Sequence, residues 1–254
     1  MSLQGEFAEI AAMDGRAALV TVIAGQTLGA KLLVRADGST DGGLGNPELD
    51  RVGVEAAEEL LWAERSETRE AGDSTLFVDV VAPAPRLVVF GAVDYAAALS
   101  RLAKAAGWRP FVCDPRSQFA TRERFPDAED VIAAWPEDAF ARLGGIDRAT
   151  YIAILTHDPK LDDAALVLAL RSDAGYIGAM GSRRAQAKRK ERLVAKGIDE
   201  GDLGRISAPI GLDLGSLTAE ETALSIMAEI VAMRYGREGG RLAHAKGRIH
   251  EVGV

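Results

Sequence analysis

Leu87-Val88-Val89-Phe90-Gly91-Ala92-Val93-Asp94-Tyr95-Ala96 is the stretch that decides the fold. Four apolar residues in a row, closed by a glycine, read as a fully buried strand running into a tight turn. A helical pattern follows to about Ala106, and Pro110-Phe111-Val112-Cys113-Asp114 reads as the next strand. Tyr151 to Thr156 reads as a third strand and is followed by a helix from about Leu161 to Arg171. Tyr176-Ile177-Gly178 reads as a short fourth strand ahead of a long basic helix, and Ile206 to Ile210 as a fifth. The last helix spans Thr218 to Arg234, with Thr218 and Glu221 spaced as a capping box. Continuous apolar strands alternating with helices predict a parallel sheet covered on both faces. Residues 85–236 are therefore expected to form a Rossmann-like α/β domain with its ligand site at the carboxyl ends of the strands.

Upstream, residues 1–84 read as a small α+β domain. Glu6 to Met13 is a helix candidate, and Arg16 to Ile23 and Lys31 to Arg35 are strands. Asp41-Gly42-Gly43-Leu44-Gly45 reads as a flexible loop. Asn46-Pro47-Glu48 then reads as a helix N-cap, a proline in the first helical position and an acid in the first turn. That helix is expected to run to about Arg65, and Leu76 to Val81 is a third strand. Pro83-Ala84-Pro85 is the linker candidate, and residues 237–254, Gly-rich and basic, read as a flexible tail.

The chain has 254 residues, a formal charge of -8 and a sequence pI near 5.1. That acidity argues against nucleic acid or an anionic membrane as partner, because phosphate binding needs clustered Lys and Arg. A single cysteine, Cys113, and three histidines (His157, His244, His250) exclude an intramolecular disulfide and a Cys-rich zinc site. Cys113, inside an apolar strand, is expected to be a core residue rather than a reactive thiol. No metal site is expected. The start shows no secretory signal and no apolar run is long enough for a membrane helix, so the expected location is the cytoplasm.

Four turns are site candidates. Gly91 to Ala96 occupies the place of a dinucleotide fingerprint, with Gly91 and Ala96 acceptable for its first and third positions. Val93 stands where the second glycine would admit pyrophosphate, and Asp94 brings a negative charge to the helix N-terminus. Asp114 lies where a ribose-binding carboxylate is expected. The second candidate, Gly178-Ala179-Met180-Gly181-Ser182-Arg183-Arg184, combines glycines, free helix N-H groups, a hydroxyl and two guanidiniums, which together suit a phosphate. Lys188, Arg189, Lys190 and Arg192 behind it form the one concentrated basic stretch, either a solvated face or a surface that steers an anion or an acidic partner. Thr156-His157-Asp158, past the third strand, is read as ligand-contacting or loop-capping. In Ala208 to Gly215, Asp213 looks like a buried acid in a shaped loop.

On Tyr176-Ile177-Gly178-Ala179-Met180-Gly181-Ser182-Arg183-Arg184, on Ala208-Pro209-Ile210-Gly211-Leu212-Asp213-Leu214-Gly215 and on Ser225-Ile226-Met227-Ala228-Glu229-Ile230, the sequence resembles the XdhC/CoxI family of xanthine dehydrogenase accessory proteins. Thr156-His157-Asp158 fits as well, and Arg16 to about Leu60 resembles the family's other domain with more drift. The resemblance implies binding of molybdenum cofactor and its insertion into a xanthine dehydrogenase-like molybdenum hydroxylase. A cysteine desulfurase is an implied further partner, and a homodimer is the expected assembly. Two departures stand out. The family's Gly-Gly-Cys-x-Glu stretch is here Gly42-Gly43-Leu44-Gly45-Asn46-Pro47-Glu48, without a cysteine, and its Gly-Ala-Gly-His is here Gly91-Ala92-Val93-Asp94.

Three functions compete on the sequence: a cofactor-handling chaperone without turnover, an NAD(P)-dependent oxidoreductase, and an interaction module that has lost its ligand. The Rossmann pattern and Asp114 favour the second, while Val93 and Asp94 oppose it. Fold alone does not choose among them.

Overall fold

The computed structural model describes residues 2–245, and the chain divides into two compact units between Pro83 and Ala84. The expected tail begins at residue 237, and its part from 246 to 254, His250 included, lies outside the described residues.

The first unit contains α1 (Leu3–Ala12), β1 (Ala17–Ala24), β2 (Lys31–Arg35), β3 (Thr40–Gly43), α2 (Pro47–Ala63), β4 (Glu67–Ala71) and β5 (Ser74–Val81). Its antiparallel sheet has the order β3-β2-β1-β5-β4. Alternation along β1 sends Ala18, Val20 and Val22 into a core shared with Ala57, Leu60 and Leu61 of α2, while Ala17 and Leu19 meet Phe7 of α1. Asn46 caps α2 as expected, its Oδ1 accepting from the Leu49 N-H at 2.9 Å ahead of Pro47.

Residues 41–45 are not the expected loop. Asp41, Gly42 and Gly43 belong to β3, held by backbone pairing to β2, and Leu44 beyond it is fully buried. An edge strand made of Thr, Asp and Gly carries no hydrophobic alternation, so only its pairing reveals it. The charged edge strand β4 was hidden for the same reason, and charge on an edge discourages pairing with other chains.

The second unit is doubly wound. It contains β6 (Arg86–Phe90), α3 (Asp94–Ala105), β7 (Arg109–Cys113), β8 (Asp130–Ile132), α4 (Pro136–Arg142), β9 (Thr150–Ile154), α5 (Pro159–Leu170), β10 (Tyr176–Ala179), α6 (Arg183–Ala195), β11 (Ile206–Ser207) and α7 (Ala219–Arg234). All six strands are parallel, in the order β8-β7-β6-β9-β10-β11. Counted along the unit this is 3-2-1-4-5-6, the order in which ligands bind where the winding reverses, here between β6 and β9. The apolar run of β6 is explained by its two covered faces. Leu87 and Val89 pack with Leu99, Ala103, Ile226 and Ile230 of α3 and α7, and Val88 and Phe90 pack with Leu166, Leu170 and Leu193 of α5 and α6. The expected α/β class with a Rossmann-like sheet holds. The sheet gains a sixth strand, the three-residue β8, and the short helix α4, neither legible as a periodic pattern. The capping box at Thr218 and Glu221 is formed in both directions.

Candidate functional site

Parallel strands deliver all their following loops to one edge of the sheet, so the turns after β6, β7, β9, β10 and β11 share the carboxyl side. Gly91, Asp94, Asp114, Thr156, His157, Gly181, Ser182, Arg183, Arg184 and Asp213 all lie in these turns or in the first helical turn after them.

The turn after β10 is the most open to an anion. Gly181 has φ +130°, a conformation that favours glycine. Ser182 caps α6, its Oγ accepting from the Ala185 N-H at 3.3 Å. The Met180 carbonyl accepts from Arg189 Nη2 at 2.8 Å, and the Gly181 carbonyl accepts from Gln186 Nε2 at 3.1 Å. In a trans peptide the C=O and the following N-H point opposite ways. Drawing both carbonyls inward therefore turns the Gly181 and Ser182 N-H groups outward. Among the described residues, neither of these nor the Arg183 and Arg184 N-H has an acceptor. Both arginine side chains are exposed and unpaired among the described residues. Four acceptor-free N-H groups, a hydroxyl and two exposed arginines thus belong to one turn, a donor set suited to a phosphate-like oxyanion.

Gly178 plays a different part from the one its sequence context suggested. It lies inside β10, and a Cβ there would come within 2.4 Å of Ile210 Cδ1 and 2.5 Å of the Tyr176 hydroxyl. Its missing Cβ makes room for Ile210 and Tyr176 to pack. The basic helix is corrected too. Arg189 is buried and meets Asp162 Oδ2 at 3.0 Å, and Arg192 forms two 2.9 Å bonds to Asp163. Two of the four cations are thereby neutralised from α5, and Lys188 and Lys190 remain exposed. Burial pushes the Asp162 carboxyl up to about 6, against the opposing pull of Arg189.

The turn after β6 keeps its dinucleotide-like backbone. Gly91 has φ +113°, and a Cβ there would meet the Thr156 nitrogen at 3.0 Å. Val93 is the N-cap of α3 and supplies no side-chain cap, while Asp94 is exposed with Arg124 Nη2 at 3.4 Å. Asp114 is completely buried and already occupied. It accepts from the Ala92 N-H at 2.8 Å, from the Arg116 N-H at 2.9 Å, and from Arg116 Nε and Nη2 at 2.9 and 2.7 Å. Burial alone would raise its pKa, but the Arg116 guanidinium and the two N-H groups outweigh burial and hold it below the usual carboxylate range. Asp114 is a latch between the β6 and β7 turns, with no lone pair aimed at a ribose.

Thr156 is buried, and its Oγ1 accepts from the Asp158 N-H at 2.9 Å, so it shapes its own turn. His157 beside it is exposed. Asp213 is exposed, not buried as its setting suggested. The acid that organises the 208–215 loop is Glu229 of α7. Its Oε2 accepts from the Gly211 N-H at 2.8 Å and from the Tyr176 hydroxyl. The peptide before Pro209 is cis. Burial, then Glu229, push the Tyr176 hydroxyl pKa up, so it donates and stays neutral. Burial likewise pushes the Cys113 thiol up to about 12, consistent with an inert core residue.

A 3-2-1-4-5-6 parallel sheet covered by helices on both faces, with a turn of acceptor-free N-H groups after its fifth strand, defines a Rossmann-type domain. The model of the XdhC Rossmann domain matches residues 87–230, and that of the XdhC and CoxI family matches residues 11–72. The chain belongs to the XdhC family. It is 27% identical over 226 residues to the protein YqeB of Escherichia coli (strain K12), covering 83% of this chain and 41% of that one. It is 29% identical over 161 residues to a probable xanthine dehydrogenase subunit of Bacillus subtilis (strain 168), covering 63% and 46%. It is 28% identical over 156 residues to the molybdenum cofactor insertion chaperone PaoD of Escherichia coli (strain K12), covering 61% and 42%. The chain thus spans less than half the length of each of these relatives. In fold it resembles a crystal structure described as a xanthine dehydrogenase from Bacillus halodurans, with a TM-score of 0.61 and 24% identity over 89% of this chain and 64% of the other. No described helix is long and apolar enough to cross a membrane.

Proposed function

We propose that this protein binds molybdenum cofactor and assists its insertion into a xanthine dehydrogenase-like molybdenum hydroxylase, acting as an accessory factor without turnover of its own. The observation that carries the reading is the outward row of N-H groups at Gly181 to Arg184, with Ser182 and two unpaired arginines, in a member of the XdhC family. The cofactor carries a phosphate, and this turn fits a phosphate in donor number, charge and helix polarity. The chain offers no accessible thiolate for the molybdenum end among the described residues: Cys113 is sealed, and Leu44 stands in the Gly42 to Glu48 stretch. In this reading the chain holds the phosphate and orients the molecule. A molybdenum hydroxylase client, a cysteine desulfurase and a second copy of the chain are the proposed partners, in the cytoplasm. The sealed Asp114, with Val93 and Asp94, speaks against an NAD(P)-dependent oxidoreductase.

The test is to purify the protein from cells making molybdenum cofactor and identify the copurifying molecule by absorbance and mass. The loaded protein is then mixed with an apo-hydroxylase. A pterin and restored hydroxylase activity are expected. A nicotinamide, or no small molecule and no restoration, overturns the proposal.

A further inference from the structure

Asp162, Gln186 and Arg189 lie buried behind the turn after β10. Arg189 Nη2 bridges Asp162 Oδ2 at 3.0 Å and the Met180 carbonyl at 2.8 Å. Gln186 Nε2 donates to the Gly181 carbonyl at 3.1 Å, while its Oε1 accepts from Arg189 Nη1. All three side chains are buried. The cluster is costly: Asp162 Oδ1 and Arg189 Nε have no partner among the described residues. Apolar residues of similar volume in place of a buried ion pair are often as stable or more so, so stability alone is a poor reason to keep one.

What the cluster does is fix two peptide planes. If either carbonyl turned outward, its oxygen would face the position an oxyanion takes, and the paired N-H would turn away. The α6 N-terminus would then present a negative dipole end where it now presents positive ones. Gly181, which carries no Cβ and tolerates both signs of φ, is the residue most able to make that turn.

We propose that Asp162, Gln186 and Arg189 are positioning residues that clamp the Met180 and Gly181 carbonyls inward and so preset the turn for a phosphate-sized oxyanion. The inference rests on the anion-binding reading of that turn. It separates these residues from Arg183 and Arg184, which attract the anion but do not shape its cradle.

The test uses the full chain, labelled with nitrogen-15, and inorganic phosphate as the probe. In the wild type, phosphate is expected to shift the Gly181 and Ser182 amide signals. Gln186→Met and the near-isosteric Gln186→Glu should alter these two signals before any phosphate is added, and should weaken phosphate binding about tenfold. Asp162→Asn should do the same to a smaller degree. The pair Arg183→Ala with Arg184→Ala should weaken binding while leaving the phosphate-free Gly181 and Ser182 signals in place, a contrast that a merely structural role for the cluster would not produce. Arg189→Lys, which keeps the charge but loses the fork, serves if a Gln186 variant fails to fold. Wild-type affinity in folded Gln186 and Arg189 variants overturns the clamp and leaves the anion site standing. A wild type whose Gly181 and Ser182 signals ignore phosphate removes the anion site itself, and the clamp with it.

Discussion

Gly178→Ala isolates the packing role of that residue from any role in ligand approach. The added Cβ would lie 2.4 and 2.6 Å from Ile210 Cδ1 and Cγ1 and 2.5 Å from the Tyr176 hydroxyl. Contacts that short force side chains or backbone to move, and one excess methyl in a packed core costs about 1–3 kcal/mol. If Tyr176 yields, its bond to Glu229 goes too, and a hydrogen bond to a charged group contributes about 1.5–3 kcal/mol. With both contributions the expected loss is about 2.5–6 kcal/mol, which is large against total stabilities of about 5–15 kcal/mol. Ile210 is half-buried, so Ile210→Ala should itself cost less than a full core deletion and should relieve two of the three contacts. In the double variant the two costs should fall short of their sum by about 1 kcal/mol or more, as for residues in direct contact. Urea unfolding gives the four stabilities, and hydrogen exchange at the β10 amides assigns the loss to this unit. Phosphate affinity measured below the transition should not change. An additive cycle, or a stable Gly178→Ala that fails to bind phosphate, would refute the packing argument and return Gly178 to the ligand.

Three further outcomes are expected. Val93→Gly with Asp94→Asn should still bind reduced nicotinamide cofactor poorly in a fluorescence titration, because Arg116 occupies Asp114; micromolar binding would show that the latch opens. Asp114 has a lowered folded pKa, so its contribution is complete above the unfolded value of 3.8 and is lost as pH falls through the lower folded value; wild type and Asp114→Asn should therefore converge in stability in strong acid, and a constant gap would refute the assignment. Asp162 runs the other way. Its folded pKa is raised to about 6, mainly by burial and despite Arg189 and His157, with Asp163 adding a smaller upward push, so its favourable contribution is complete below 3.8 and lost as pH rises through about 6; the stability of wild type relative to Asp162→Asn should fall across that window in urea melts taken at several pH values.

Much of the second unit was legible because its strands are buried on both faces. Continuous runs such as Leu87 to Phe90 and Tyr151 to Ile154 announce themselves, and caps such as Asn46 and Thr218 mark helix starts. Edge strands were not, because Thr40 to Gly43 and Glu67 to Ala71 need no apolar alternation. At the site, the sequence pointed to the turns but not to the orientation of their side chains. Gly178 and Gly181 look alike in sequence, yet one relieves a clash and the other adopts a positive φ. Asp213 is exposed while the half-buried Glu229 of α7 organises the loop around it, because burial of an acid depends on the helix that packs over it. The pairing of Arg189 and Arg192 with Asp162 and Asp163 spans 27 and 29 positions, and only a tertiary contact between helices reveals it.

Those two pairs also constrain how this surface changes over generations. Loss of one partner from a buried pair costs about 3–5 kcal/mol, a large part of the about 5–15 kcal/mol that keeps a typical domain folded. A lineage that neutralises Arg189 must therefore change Asp162 almost at once, or first acquire stability elsewhere. The half-exposed Arg192 leaves more latitude at Asp163. Across a broad set of relatives, positions 162 and 189 should accordingly change together, with few sequences that keep one partner without the other, whereas positions 163 and 192 should drift with weaker correlation.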